Sequence, residues 1–215
     1  LKISFEVNPG ISVWMINKEI IDLMVRAGLY RICLPIESGC EETLNFIGKP
    51  VNLDKSKSMI QYCNSLGLYT YGNILIGFPF EKKEEIEESI KWAFGSNLDM
   101  VHFLIVEPYD GANMFSIYKE NNWIELNETE NFNMRVFRTK YFNIQELNEI
   151  RNKAQLKYFL KRSFQFLNPI NFKKTVWPKI NSLSKLKYFL KIIFFVVTGA
   201  GIPENFALFK LFKKK

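Results

Sequence analysis

The first 110 residues alternate between short, almost uninterrupted apolar runs and segments whose apolar positions recur every three or four residues. "ISFEV" (3–7) reads as a strand and stops at "NPG", a turn signal. "NKEIIDLMVRAG" then has helical spacing, with Ile20, Ile21, Leu23, Met24 and Ala27 on one face and Gly28 as its stop. The next strand is "LYRICLPIES" (29–38), followed by a short helix in "CEETLNFIG". A helix over Asp54–Leu66 closes at Gly67, and "LYTYGNILIGF" (68–78) is a third strand. A helix rich in outward acids runs over Lys82–Phe94, and "MVHFLIVEP" (100–108) is a fourth strand. Apolar strands linked by helices predict a parallel sheet covered by helices. Two architectures satisfy this order. One is an open α/β sheet, and the other is the back part of a barrel-like fold.

Beyond Pro108 the pattern changes. Met114–Trp123 reads as a short helix, 127–140 as polar and irregular, and Asn143–Phe166 as a long amphipathic helix. Lys185–Thr198 is a further helix, followed by a basic, aromatic tail. A boundary is expected near 125–145, dividing a strand-rich part (1–125) from a mostly helical extension (126–215). Charge follows the same division. The net charge of +7 comprises 15 Lys/Arg against 3 Asp/Glu in residues 146–215 and 14 against 19 before them. Such a basic segment is either a solvated helical face or a surface for an anionic partner. "KLKYFLKIIFFVV" mixes lysines with aromatics as interfacial helices do, so peripheral membrane contact is expected ahead of nucleic acid, for which no motif is present.

Candidate chemistry gathers at the carboxyl ends of the strands, where parallel α/β folds bind ligands. In order, those ends present Glu6, Asn8 and Pro9; Glu37, Ser38 and Gly39; Asn73, Gly77, Pro79 and Glu81; and His102, Glu107, Pro108 and Tyr109. Acids and amides placed there suit a ligand with hydroxyl or ammonium groups. Gly39 and Gly77 would let a planar ring approach the backbone. Each has a plainer reading: Glu6 as an edge residue, Glu37 as a helix-start acid, Gly77-Phe78-Pro79 as a tight turn. His102, between Val101 and Phe103, is expected to be packed or hydrogen-bonded, and Cys33 and Cys40 to be structural thiols. There is no P-loop, no G-x-G-x-x-G after a strand and no nucleophile elbow, and a single His excludes a two-His metal site. Three cysteines without metal or redox spacing, and no signal peptide, fit a reducing cytoplasm. A strand starting at Leu1 leads us to expect a fragment of a longer protein.

Four stretches taken in register, "FEVNPG", "GLYRICLPIESGCEETLNFIGK", "YGNILIGFPFEKKEEIEESI" and "EPYDGANMF", resemble the radical S-adenosylmethionine (radical SAM) enzymes. The similarity covers about residues 1–120. It is to the group that includes oxygen-independent coproporphyrinogen oxidase, the methylthiotransferases and the cobalamin-binding members. The resemblance implies the third to sixth strands of a partial (β/α)6 barrel that binds S-adenosylmethionine (SAM). It implies that Glu6 lies near the ribose or methionyl group, that Glu37 with Ser38 bonds polar groups, and that Lys49 faces the SAM carboxylate. It further implies that Asn73 reaches the ribose, with Gly77, Pro79 and Pro108 beside the adenine. Lys49 stands where relatives often carry arginine, which loses a bidentate fork. The defining C-x-x-x-C-x-x-C is absent from these residues, and Cys33, Cys40 and Cys63 do not reproduce its spacing. The resemblance therefore places the [4Fe–4S] ligands upstream of Leu1 and leaves this chain inactive alone. In the intact protein it implies reductive SAM cleavage for radical chemistry or cobalamin-assisted methyl transfer, on a small-molecule or lipid-like substrate. The alternative is a non-catalytic remnant, or a subunit completed by a separate N-terminal chain.

Overall fold

The computed structural model describes residues 4–8, 10–125, 136–180 and 186–187. Strands β1 (Phe5–Val7), β2 (Leu29–Cys33), β3 (Tyr69–Ile76) and β4 (Met100–Ile105) form one parallel sheet in the order β1-β2-β3-β4. Each crossover therefore moves one strand further in the same direction. An open doubly wound sheet reverses its order at a switch point. These strands contain no reversal, so they form part of a barrel wall.

The connecting helices form where the sequence supplies caps. Helix α1 (Lys18–Ala27) begins with the Ile20 amide donating to Asn17 Oδ1 at 2.9 Å and ends on Gly28 at φ 110°. Helix α2 (Glu41–Phe46) follows β2, and α3 (Leu53–Ser65) starts with the Lys55 amide on Asn52 Oδ1 at 2.7 Å. Helix α4 (Lys83–Gly95) follows β3, with Glu84, Glu87 and Glu88 exposed as expected of a solvated face. Helix α5 (Asn113–Glu120) leads to a two-stranded antiparallel pair, β5 (Ile124–Glu125) and β6 (Val136–Phe137), that the polar sequence did not announce. Helix α6 (Ile144–Leu167) opens with a capping box between Asn143 and Glu146. A short α7 (Pro169–Asn171), a π-turn (Phe172–Val176) and α8 (Trp177–Ile180) follow. The helix expected over 185–198 falls almost entirely outside the described residues.

One face of the sheet is packed and the other carries polar groups. Ile32, Leu34, Ile74, Ile76, Val101 and Phe103 bury against Ile21, Ile60, Ile86 and Ala93 from the helices. Glu6, Arg31, Tyr71, Asn73 and His102 stand at the alternate positions. The apolar stripe expected on α1 is only partly used. Ile21 is buried, whereas Ile20 and Leu23 are exposed, because the stripe is wider than the contact with the sheet.

Helix α6 lies beyond the boundary expected at 125, yet Leu147, Ala154 and Tyr158 belong to the same core as the sheet. It also closes the β4 edge. Gln155 Nε2 donates to the Val101 carbonyl at 2.8 Å, and Gln155 Oε1 accepts from the Phe103 amide at 3.1 Å. One carboxamide thus occupies the place of a neighbouring strand's peptide group and removes an open edge. Gln155→Ala should unpair both backbone groups and lower stability by about 2 kcal/mol, read as a shift in the urea midpoint. An unchanged midpoint would contradict this role.

Candidate functional site

The strand-end site is shaped by a bulge. Past Cys33 the chain continues beside β3 without regular strand geometry. The amides of Ile36 and Glu37 both donate to the Asn73 carbonyl, at 3.3 and 3.1 Å, and the Leu75 amide returns to the Glu37 carbonyl at 2.7 Å. Two residues opposite one define a β-bulge. Glu37 takes φ 71°, the left-handed region that glycine occupies more readily. A carboxylate held at such a backbone angle is a strained residue at a strand end, a combination that clusters at functional sites. From there the Glu37 side chain meets Lys49, with Nζ to Oε1 at 3.4 Å. The lysine side chain is 42% exposed and the glutamate 19%. Asn73 is half-buried on the polar face, opposite His102 in register, and its carboxamide has no hydrogen bond among the described residues.

Glu37 and Lys49 therefore meet, with the Asn73 backbone beside Glu37, whereas Glu6 does not join them. Glu6 pairs in register with Arg31, which pairs with Tyr69, so Asn73 lies four residues further along β3. That offset is about 13 Å at the rise of a strand. Glu6 Oε2 instead takes a bond from Arg31 at 3.2 Å. The Arg31 guanidinium lies 4.2 Å from the Tyr71 ring centroid, and the Tyr71 hydroxyl donates to the Asn8 carbonyl at 2.7 Å. His102 packs edge-on against Tyr71, as a packed histidine should, and burial lowers its pKa. Arg31 and Tyr71 were missed by the sequence reading. The signal was present, because an arginine inside "LYRIC" breaks an otherwise apolar run.

Ser38 is fully buried and turned inward. Its hydroxyl shares a 2.8 Å hydrogen bond with Ser89 on α4 and accepts from the Cys40 amide at 3.1 Å. A side chain at Gly39 would meet Trp92 Cβ at 2.5 Å, so this glycine serves packing against α4 rather than a ring's approach. Nor is the Gly77–Pro79 turn bare. Gly77, Phe78 and Pro79 are buried, and a Cβ on Gly77 (φ 84°) would meet Leu147 at 2.8 Å. The Pro79 carbonyl accepts from the Lys140 amide at 2.9 Å, and Pro108 is also buried. The side chain that organises the turn is Glu81. Its Oε2 accepts from the amides of Gly77 and Phe78 at 2.6 and 3.2 Å, and Thr43 donates to its other oxygen at 3.5 Å. Tyr118 donates to the Gly77 carbonyl at 3.4 Å. Burial pushes the Glu81 carboxyl from 4.5 up to about 7, against the opposing pull of those amides.

The cysteines do not form a cluster site. Cys33, Cys40 and Cys63 are free, buried and carried by different elements. Burial raises all three thiols, Cys40 to about 11 and Cys63 to about 12, which disfavours the thiolates that bind iron. These residues therefore do not fit a [4Fe–4S] cluster.

Two predictions follow from this geometry. Glu37→Gly should be more stable than Glu37→Ala by about 1 kcal/mol in urea denaturation, because alanine keeps the left-handed strain. Equal stabilities would remove the strain from the account. For Glu81, the folded chain holds a proton between pH 4.5 and 7 that the unfolded chain has released, so its contribution to stability falls as pH rises through that window. Relative to Glu81→Gln, the wild type should lose about 3 kcal/mol between pH 4 and pH 8. Parallel pH profiles for the two proteins would rule this out.

Comparison with known proteins gives a consistent family. The profile of the Radical SAM superfamily matches residues 1–93. An uncharacterized methyltransferase from Pyrococcus horikoshii is 27% identical over 147 residues, which is 67% of this chain and 32% of that protein. Cytidylyl-2-hydroxyethylphosphonate methyltransferase from Streptomyces wedmorensis is 31% identical over 112 residues, covering 49% of this chain and 21% of the relative. Among solved structures, the radical S-adenosylmethionine methyltransferase TsrM from Kitasatospora setae, with tryptophan substrate and a SAM analogue bound, superposes with a TM-score of 0.51. That match is 16% identical and covers 72% of this chain and 35% of TsrM. The chain thus spans a third or less of the length of these curated relatives. Sequence profile, relatives and the unreversed parallel sheet agree in likening residues 1–93 to the radical SAM superfamily.

Proposed function

We propose that these residues form the SAM-binding wall of a radical SAM enzyme of the methyltransferase type. The observation that carries this reading is the Glu37–Lys49 pair, held on a strained bulge at the carboxyl end of a parallel sheet. SAM presents an α-amino acid end. Its ammonium suits Glu37 and its carboxylate suits Lys49, so a zwitterion exchanges one half-exposed ion pair for two charge-assisted contacts. Asn73, on the same edge with an uncommitted carboxamide, is suited to a ribose hydroxyl. Gly77, Pro79 and Pro108 act here as the buried frame of the adenine side, held by Glu81 and Leu147.

This chain's own part is to bind and orient. The [4Fe–4S] cluster, and cobalamin for methyl transfer, belong in this reading to residues outside it. The methyltransferase relatives favour methyl transfer. The intact protein would work in the cytoplasm, with the basic residues beyond 145 facing substrate or an anionic membrane surface. No helix among the described residues is long and apolar enough to cross a membrane. The second reading is a non-catalytic subunit, which the same site would serve as a SAM-binding module.

The test is anaerobic reconstitution of the intact protein with a working reductant, measuring SAM binding together with release of 5′-deoxyadenosine or S-adenosylhomocysteine. Lys49→Ala should weaken SAM binding about tenfold, and Lys49→Arg should retain it. Unchanged affinity in Lys49→Ala would overturn the assignment of the pair. SAM binding without either product, on an intact cluster, would leave the non-catalytic reading.

A further inference from the structure

The outer side of the C-terminal helices carries large apolar groups where a solvated surface carries polar ones. Between positions 160 and 177, Leu160 is 43% exposed, Phe164 69%, Ile170 78% and Trp177 57%. Scattered singly, such groups are ordinary. Here they are concentrated, and Ile170 is the most exposed large apolar side chain among the described residues.

The helices that present them are fixed from the inner side. Ala154, Tyr158 and Arg162 form a buried row along α6. The Tyr158 hydroxyl donates to the Leu98 carbonyl at 2.6 Å, and Arg162 pairs with Asp99 at 2.8 Å. Asp99 also pairs with Lys179 of α8, which donates to Asn64 Oδ1 at 2.7 Å. One carboxylate at the start of β4 thus anchors both helices, at the end of the sheet opposite Glu37 and Lys49. On α6, Lys153, Lys157, Leu160 and Phe164 recur at spacings of four, three and four, so they line one outer stripe. The turn that carries Ile170 contacts α6, and Trp177 opens α8.

Charge selects the partner. Residues 150–180 contain no Asp or Glu. Arg162 and Lys179 are committed to Asp99 and add nothing to the outer surface. Lys153, Lys157 and Lys173 are exposed, and none is in an ion pair among the described residues. A protein interface concentrates aromatic groups but is depleted of lysine. Lysines interleaved with exposed aliphatic and aromatic groups suit an anionic lipid surface. Their ammonium groups meet headgroup phosphates, while the apolar groups enter the boundary with the acyl chains.

We propose that the outer side of α6–α8 docks on an anionic lipid bilayer, with Phe164, Ile170 and Trp177 entering the interface and Lys153, Lys157 and Lys173 meeting the headgroups. This deepens the reading of the basic residues beyond 145 and is independent of the Glu37–Lys49 assignment. Both helices are already folded onto the sheet, so docking requires no further ordering of them.

The test is co-sedimentation of the 215-residue chain, without SAM, on two kinds of vesicle. One is phosphatidylcholine with about one-third phosphatidylglycerol, and the other is phosphatidylcholine alone. Pelleting with the anionic vesicles only, reduced by added salt, is expected. Phe164→Ser combined with Trp177→Ser should weaken it about tenfold, and so should Lys153→Gln combined with Lys157→Gln. All four side chains are exposed, so both double variants should keep the wild-type melting temperature. Undiminished pelleting of either double variant would overturn the proposal and place binding on the lysine-rich residues beyond 180. Equal pelleting with both kinds of vesicle would overturn it, as would none with either. Such a failure leaves the Glu37–Lys49 assignment standing, because SAM affinity alone reads that pair.

Discussion

Two backbone amides share one carbonyl, and the strand-end site is arranged by that sharing. If Ile36 and Glu37 each took their own partner, β2 would run on regularly and every second side chain would keep its face. Because both donate to Asn73, one extra residue is inserted and Glu37 is driven to a positive φ. Its carboxylate then reaches Lys49, which stands twelve positions later, beyond helix α2. The same carbonyl belongs to Asn73, whose side chain lies on the polar face. One irregular hydrogen-bond pattern therefore brings a carboxylate to an ammonium beside the Asn73 backbone.

The turn after β3 depends on a different device. A positive φ at Gly77 breaks the strand, and Glu81 then collects the two amides that the break leaves without strand partners. Burying that carboxylate raises the free energy of its charged form, an electrostatic cost at neutral pH that the two amides only partly offset. Leu147 and Tyr118 pack over the turn from α6 and α5. Helix α6 thereby contributes to the turn, to the β4 edge through Gln155 and to the Asp99 centre through Arg162. It is part of the sheet's packing although the composition changes well before it begins.

Much of this was legible in the residues. Caps at Asn17, Asn52, Asn143 and Gly28 mark helix ends because their bonds are local and need no tertiary partner. Apolar runs mark strands buried under helices, and the acids of α4 mark a solvated face. Roles that depend on a distant neighbour were not legible. Ser38 looked like a ligand group, but Ser89, fifty-one positions away, takes its hydroxyl. Gly39 and Gly77 looked open, but Trp92 and Leu147 fill the space beside them. Glu6 shares a strand end with the others in sequence, and register alone places it beside Arg31 and Tyr69.

The sequence by itself determined the alternation of strand and helix, the parallel sheet, the family resemblance and the residue types at the strand ends. These rest on periodicity, capping and local spacing, all of which are properties of short stretches. Only the tertiary structure decided that the strand order never reverses, that a bulge brings Glu37 to Lys49, and that Asp99 gathers Arg162 and Lys179 from 63 and 80 positions away. Register, edge closure and charge pairing are relations between segments. Their free energy exists only once the segments meet, so no single stretch can encode them legibly.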